Sequence, residues 1–492
     1  MATLSESGRR ERIIVCAAAV ALVFVRGFVA TYYEGFYFDS DQAIVGLMAR
    51  HLSRFHHFPL FYYSLNYLLG VQAWIIAPVF WIVRSSVAAM RVPYVLLNAG
   101  VAVALIAMLT RQLSLRPAWA FVAALPFIIP SPGAANHLLE LAGASVEPFA
   151  YVLALWALRR RPFVFGVLLA VAYFHREFTI FALPALVVAE FPRWTSDLRA
   201  RAREAGTLVA GFACIWIVVG VLKAWLANGS VGLQLASLQG QMCFEWPEFT
   251  QRVEGLLTEA LPSLYGFIAL PVSTWRMTTP VVAGSKGVAW VMYAAAALML
   301  VRLLWIWRRP APTDPAPHAS PGFAVYLTLV GACTAAVYPL SCQVMLHTPP
   351  LLRYLLLALL VPAGLAAAFF ARERSRALRV LAGAAIVFWS GANLSDNVAV
   401  IRSAVADPPL NEHRALVDYL LAHQIRYARA IYWDAYVVDF LSRERVITAS
   451  TDIVRIPEYQ AEVDAHADSA VMLQRVPCSG NERVASWCIQ RP

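Results

Sequence analysis

Residues 9–42 read RRERIIVCAAAVALVFVRGFVATYYEGFYFDSDQ, and this stretch decides the class of fold. Arg9, Arg10 and Arg12 precede an apolar run over 13–25, within a span of about 13–31, and the chain then turns acidic at Asp39 and Asp41. About 19 residues at 1.5 Å each reach across a hydrocarbon core of roughly 30 Å. The basic flank lies on the N-terminal side and no small-residue cleavage site follows, so the run reads as an uncleaved first helix with a cytoplasmic N-terminus. That places the acidic pair just outside the end of the first membrane span.

The rest of the chain repeats this pattern. Of 492 residues, 60% are hydrophobic and 14% charged, with a mean hydropathy of +0.60, whereas soluble domains carry roughly 25% charged residues. The formal charge of +10 is almost all arginine, since Lys223 and Lys286 are the only lysines. The arginines sit in small groups at the ends of apolar runs instead of forming one basic face, which reads as topology and argues against a nucleic-acid partner. Groups at Arg111 and Arg116, 159–161, 193–203, Arg308 and Arg309, and 372–379 alternate with arginine-poor connections. This alternation predicts about eleven spans, near 13–31, 91–110, 117–135, 141–158, 162–174, 178–191, 206–227, 288–307, 323–340, 353–371 and 378–394. Arg26, inside the first span, is expected to snorkel outward.

The expected fold class is mainly α: a polytopic membrane helix bundle over 1–400, with a small extracytoplasmic α/β domain over 401–492. Outer loop 1 covers 32–90. Within it, 42–55 and 73–83 are expected at the membrane surface, the first with Arg50, Ser53 and Arg54 opposite its apolar face. Outer loop 2 covers 228–287 and holds an amphipathic stretch through Phe249, Val253, Leu256, Leu257 and Ala260. The Pro-rich segment 308–321 reads as a linker. In the tail, 411–424 reads as a capped helix, 430–433 as a strand, 435–442 as a helix and 446–450 as a strand. Of seven cysteines, Cys16, Cys214 and Cys333 lie in apolar runs and read as packing residues, while Cys478 and Cys488 are close enough in a polar tail to form a disulfide.

Carboxylates at the mouth of a span can hold a metal, activate an acceptor hydroxyl, or cap the helix that follows. The surrounding motif narrows this choice. Asp41, Ala49-Arg50-His51, Phe58-Pro59, Asn66-Tyr67, Ala77-Pro78 and Met90-Arg91-Val92-Pro93 together resemble the first outer loop of GT-C membrane glycosyltransferases, the group of protein O-mannosyltransferases and lipid A aminoarabinose transferases. The resemblance implies that Asp41 is the base for a sugar acceptor, with Asp39 beside it and Tyr67 near the substrate. Gln42 stands where that family usually has Glu, and Gln72 replaces an expected acidic residue. These departures leave a divalent metal without motif support.

His175-Arg176-Glu177 interrupts two apolar runs and reads as the outer turn of a hairpin, where charges near membrane depth mark function or a local ion pair. Glu147, and behind it Glu140, are further acidic candidates in an apolar stretch. Arg353 and Arg91 lie at outer ends of spans, where a guanidinium either anchors the helix or grips a phosphate. The aromatic run Ile431-Tyr432-Trp433-Asp434-Ala435-Tyr436 fits a sugar-stacking face or a small-domain core. The sequence has no nucleotide-binding glycine loop, zinc-type cluster or nucleophile elbow. Chemistry on the outer face cannot draw on cytoplasmic nucleotide sugars, so the resemblance implies a polyprenyl-phosphate sugar donor, a glycan, lipid or protein acceptor, surrounding membrane lipids, and a home in a bacterial inner membrane. A transporter or lipid flippase, or an inactive scaffold of the same fold, are the rival readings; no internal topological repeat supports the first.

Overall fold

A computed structural model describes residues 6–143, 145–190, 198–226, 242, 244–268, 286–308, 322–342, 352–478 and 482–492. Among them, six helices are long and apolar enough to cross a membrane: Gly8–Tyr32, Val87–Leu113, Arg199–Trp225, Gly287–Ile306, Gly322–Leu340 and Arg376–Ala406. The first two belong to α1 (Glu6–Tyr32) and α4 (Val87–Leu113). Six of the eleven expected spans are thus single helices of bilayer length. The other five are shorter, from 9 residues in Ala182–Glu190 to 17 in Leu356–Arg372. Proline accounts for two of these. The helix Pro117–Ile128 stops because Ile129 precedes Pro130 and is driven out of the helical region, to φ −129°. Glu147–Leu158 starts only at Glu147 because Pro148, which lacks an N–H, is tolerated in the first turn and not further in.

The bundle closes around polar pins. Arg26 is buried and does not snorkel: it donates to the Phe127 carbonyl at 2.7 Å and to Asn98 Oδ1 at 2.6 Å. Those two acceptors replace the water that an outward rotamer would have reached. Asn98 in turn donates to the Tyr94 and Leu138 carbonyls.

The first long loop departs most from expectation. Its helix α2 (Ser40–Ser53) is buried from Gln42 through Leu52, and Arg50 is only 2% exposed. It is no surface helix, because the C-terminal segment covers the side that the sequence leaves polar. The strands β1 (Phe61–Tyr62) and β2 (Leu65–Leu69) form a hairpin, and α3 (Val71–Ile82) follows with Trp74, Trp81 and Ile82 exposed. At Gly46 a Cβ would stand 2.5 Å from the Phe440 ring and 2.7 Å from Met90 Sδ, so only glycine lets α2 sit between α4 and the C-terminal segment. In the second long loop, Leu256 and Ala260 are buried while Leu257 points outward. The expected linker at 308–321 lies outside the described residues from 309 onward.

The C-terminal segment holds a five-stranded sheet, order β4-β3-β5-β7-β6, from β3 (Tyr427–Ala430), β4 (Ile447–Ser450), β5 (Val471–Arg475), β6 (Glu482–Val484) and β7 (Trp487–Gln490). Strand β3 pairs in parallel with β4 and β5, and β7 runs antiparallel to β5 and β6. The expected strand at 430–433 is corrected: the strand ends at Ala430 and Tyr432 opens the helix Tyr432–Ser442. The aromatic run has strand propensity, but Asp452 Oδ1 takes the Tyr432 N–H at 2.7 Å and removes it from the ladder. Asp434 is buried against His413 and Arg475, which hold its carboxyl down at about 2; it is a tail-core ion pair. Asn411 caps the helix Glu412–Ala422 as expected, and Cys478 and Cys488 are disulfide-bonded.

Glu444 docks this segment on α2. Its carboxylate meets Arg50 at 3.3 Å, His51 Nε2 at 2.7 Å and Arg54 at 3.5 Å, and accepts the Tyr459 hydroxyl at 2.8 Å. Arg50 also donates to the Phe440 carbonyl at 2.8 Å and lies over the Phe440 ring. Removing the carboxylate leaves Arg50 buried without its counter-charge, at a cost of about 3 kcal/mol. Glu444→Gln is therefore expected to lower the stability of the folded chain by about that much in detergent melts. His51, Arg50 and Tyr459 together hold the Glu444 carboxyl down at about 2, from 4.5. A lowered folded value means stability present above pH 4.5 and lost as pH falls toward 2, and this limb should vanish in the variant.

Candidate active site

The acidic mouth is built by the start of α2. Asp39 is its N-cap, accepting the Gln42 N–H at 3.0 Å. Asp41, in the first turn, accepts the Tyr432 hydroxyl on Oδ1, and its carbonyl accepts the Tyr62 hydroxyl at 2.8 Å. Gln42 is fully buried, donating to the Tyr37 carbonyl at 2.8 Å and accepting from Arg91 at 3.2 Å. Arg91 also donates to the carbonyls of Ala30, Phe36 and Tyr37. Its guanidinium therefore ties the end of α1 to the turn that carries both aspartates. Burial, with the charges of Asp41 and Glu140 behind it, pushes the Asp39 carboxyl up to about 7.

A small cleft lies beside this mouth, lined by Arg353, Arg176, Ser145, Thr334, Tyr354 and Phe178 among others. Arg176 adopts an extended conformation between the helix Pro162–His175 and the 3-10 turn Glu177–Phe181, which turns its side chain back to donate to the Ala142 carbonyl at 2.8 Å. Arg353 also lines the cleft, and its Nε is buried with no hydrogen-bond acceptor among the described residues. Its charge acts on Glu140, Asp39 and Asp41, so the cleft and the acidic mouth are one electrostatic unit. Glu140 is buried and hydrogen-bonded to His137. Gly143 gives Arg353 its place, because a Cβ there would stand 2.2 Å from Nη1 and 3.0 Å from Glu140 Oε1.

Behind the cleft lies a polar cluster within the bundle. Glu147 Oε1 accepts from Gln72 and from the Tyr94 hydroxyl, both at 2.9 Å, with His175 Nε2 3.9 Å away. Gln72 accepts the Ala142 N–H at 2.7 Å, and Tyr151 meets His175 Nδ1 at 2.9 Å. An amide at position 72 gives Glu147 a donor where a second carboxylate would repel it. The half-buried Glu177 starts the turn after Arg176. The side chain of Tyr67 lies outside the described residues. Among the described residues no three His, Cys, Asp or Glu converge as a metal-ligand set.

Sequence reasoning missed His137, Tyr37, Gly143 and the reach of Tyr432 to Asp41. His137 and Glu140, three residues apart on one turn, were visible as a pair. Gly143 and Tyr432 had no local signal, since each works through a residue distant in sequence.

No protein-family model matches the chain, and no curated protein matches it. The structure is similar to the crystal structure of ArnT from Cupriavidus metallidurans in the apo state, with 11% identity, 94% of this chain and 92% of that chain covered, and a TM-score of 0.33. Likeness at that score carries no chemistry, which rests on the residues themselves.

Two outcomes follow from this geometry. Asp39 has a raised folded value, so between pH 3.8 and about 7 the folded chain holds a proton that the unfolded chain has lost. Stability from this group falls as pH rises through that window and levels off above it, and Asp39→Asn should flatten the fall in pH-dependent melts. Gly143→Ala should displace Arg353 and weaken binding of a phosphate monoester probe about tenfold, measured by calorimetry.

Proposed function

We propose that this chain is a membrane glycosyltransferase that moves a sugar from a polyprenyl-phosphate carrier to a glycan, lipid or protein acceptor at the extracytoplasmic face of a bacterial inner membrane. Residues 1–400 form the transferase bundle, with a cytoplasmic N-terminus. Residues 401–492 form an extracytoplasmic domain. The observation that carries the reading is Arg353, a cleft-lining guanidinium whose Nε has no acceptor among the described residues and whose charge acts on Asp39, Asp41 and Glu140. A phosphate beside that arginine brings a sugar next to two carboxylates.

The reaction is a single inverting displacement. Asp41 takes the proton of the acceptor hydroxyl as its oxygen attacks the anomeric carbon. The bond from that carbon to the phosphate oxygen breaks, and its electron pair leaves on the phosphate. Arg353 and Arg176 balance the charge that grows there. Asp39, near 7, stands close to its titration point at neutral pH and sets the local charge around Asp41. Glu147, His175 and Glu177 shape the wall behind Arg176, and Arg91 positions the aspartate turn.

Purified full-length protein given a polyprenyl phosphate hexose should show this directly. Asp41→Asn is expected to lower kcat by about 100-fold or more, and Arg353→Gln to raise the donor KM about tenfold. Full transfer by Asp41→Asn would overturn the assignment, and donor binding without turnover by the natural chain would make it an inactive scaffold.

A further inference from the structure

Asp41 is held from the other end of the chain. Tyr432, 391 positions away, donates its hydroxyl to Asp41 Oδ1. The tyrosine itself is fixed: its N–H is tied to Asp452 Oδ1 at 2.7 Å, its carbonyl accepts the Ser40 hydroxyl at 2.5 Å, and only 1% of it is exposed. Its ring meets Tyr436 edge-on, and the Arg455 guanidinium lies 5.7 Å from its centroid. The loop carrying Arg455 is in turn anchored by backbone donation to the Tyr436 hydroxyl from Arg455 and Ile456.

We propose that Tyr432 is a positioning residue for Asp41, holding Oδ1 so that Oδ2 is the oxygen that takes the acceptor's proton. This rests on the transferase reading above. Among the described residues Oδ2 accepts no hydrogen bond, while the Asp41 carbonyl is fixed separately by Tyr62. One carboxylate oxygen therefore sets geometry and the other is left for chemistry. Burial and the Asp41 charge raise the Tyr432 phenol far above its ordinary range, so it stays protonated and remains a donor throughout. The groups facing Asp41 are Asp39, Arg353 and Arg455, with Tyr62, Tyr354 and Tyr432. Tyr432 is the one of these whose side chain hydrogen-bonds the carboxylate. A base held by a second, rigid group is the general device for keeping a proton acceptor aligned, and misplacement by about 1 Å can cost about 100-fold in rate.

The test uses full-length protein in detergent with polyprenyl phosphate glucose as donor and water as acceptor, reading release of free sugar. Tyr432→Phe keeps the ring and its packing and removes only the hydroxyl. It is expected to lower kcat about 10- to 100-fold while the donor KM stays within about twofold. In the Asp41→Asn background the same change should cost nothing more, because Tyr432 acts only through that carboxylate. A merely structural tyrosine would slow both backgrounds alike. Should Tyr432→Phe lose its melting transition, Asp452→Ala carries the same test by loosening the Tyr432 backbone without touching the carboxylate. Wild-type kcat in the variant, or additive losses in the cycle, overturns this proposal alone. Absence of any sugar release by the natural chain overturns the transferase reading, and this inference with it.

Discussion

The Glu444 carboxylate, gripped by Arg50, His51 and Tyr459, is the contact on which the rest of the candidate site depends. Charges taken out of water need partners, and Arg50 at 2% exposure has three, the carboxylate, the Phe440 carbonyl and the Ser85 hydroxyl. By meeting that need the C-terminal segment is drawn down onto α2. The same docking carries the helix Tyr432–Ser442 across the start of α2 and sets a phenol on Asp41. A second tether, Glu34 to Arg414 at 2.7 Å with Asn411 at 2.6 Å, fixes the end of α1 to the same segment.

Arg91 plays the complementary part from inside the bundle. Three carbonyls near the end of α1 and the amide of Gln42 converge on one guanidinium, which leaves the turn at Asp39 little freedom. The departure at Gln42 from the acidic residue of the resembled family has a local physical sense. An amide can accept from Arg91 and donate to the Tyr37 carbonyl at once, whereas a carboxylate can only accept. Gln72 behaves alike, donating to Glu147 and accepting from Ala142. Each substitution is absorbed by its neighbours, and the acidic pair at 39 and 41 keeps its place.

Preorganisation of this kind separates the two faces of the site. The aspartates are set by hydrogen bonds from both ends of the chain, while Arg353 lines the cleft with a buried Nε that has no acceptor among the described residues. A fixed acid-base side and an unsaturated cationic side suit a reaction in which the nucleophile must be aligned and the leaving group must be met by charge.

Much of this was legible in the sequence because it depends on composition and local order. Long apolar runs bounded by arginine marked six helices of bilayer length, the acidic pair after the first of them, and the helix capped by Asn411. Proline positions hold the information that shortened two further spans, since the residue before Pro130 and the N–H missing at Pro148 act within one turn. The burial of α2 was not legible: Arg50 reads as part of a wet face with Ser53 and Arg54 until a segment some 390 residues later covers it, while Arg54 stays exposed. The strand expected at 430–433 failed for the same reason, because Asp452 takes the N–H that a ladder would have used. Sequence by itself determined which residues can carry charge and where the chain can cross a bilayer. Only the tertiary structure decided which charges meet, because pairing in a low-dielectric interior depends on distances between segments that no local pattern encodes.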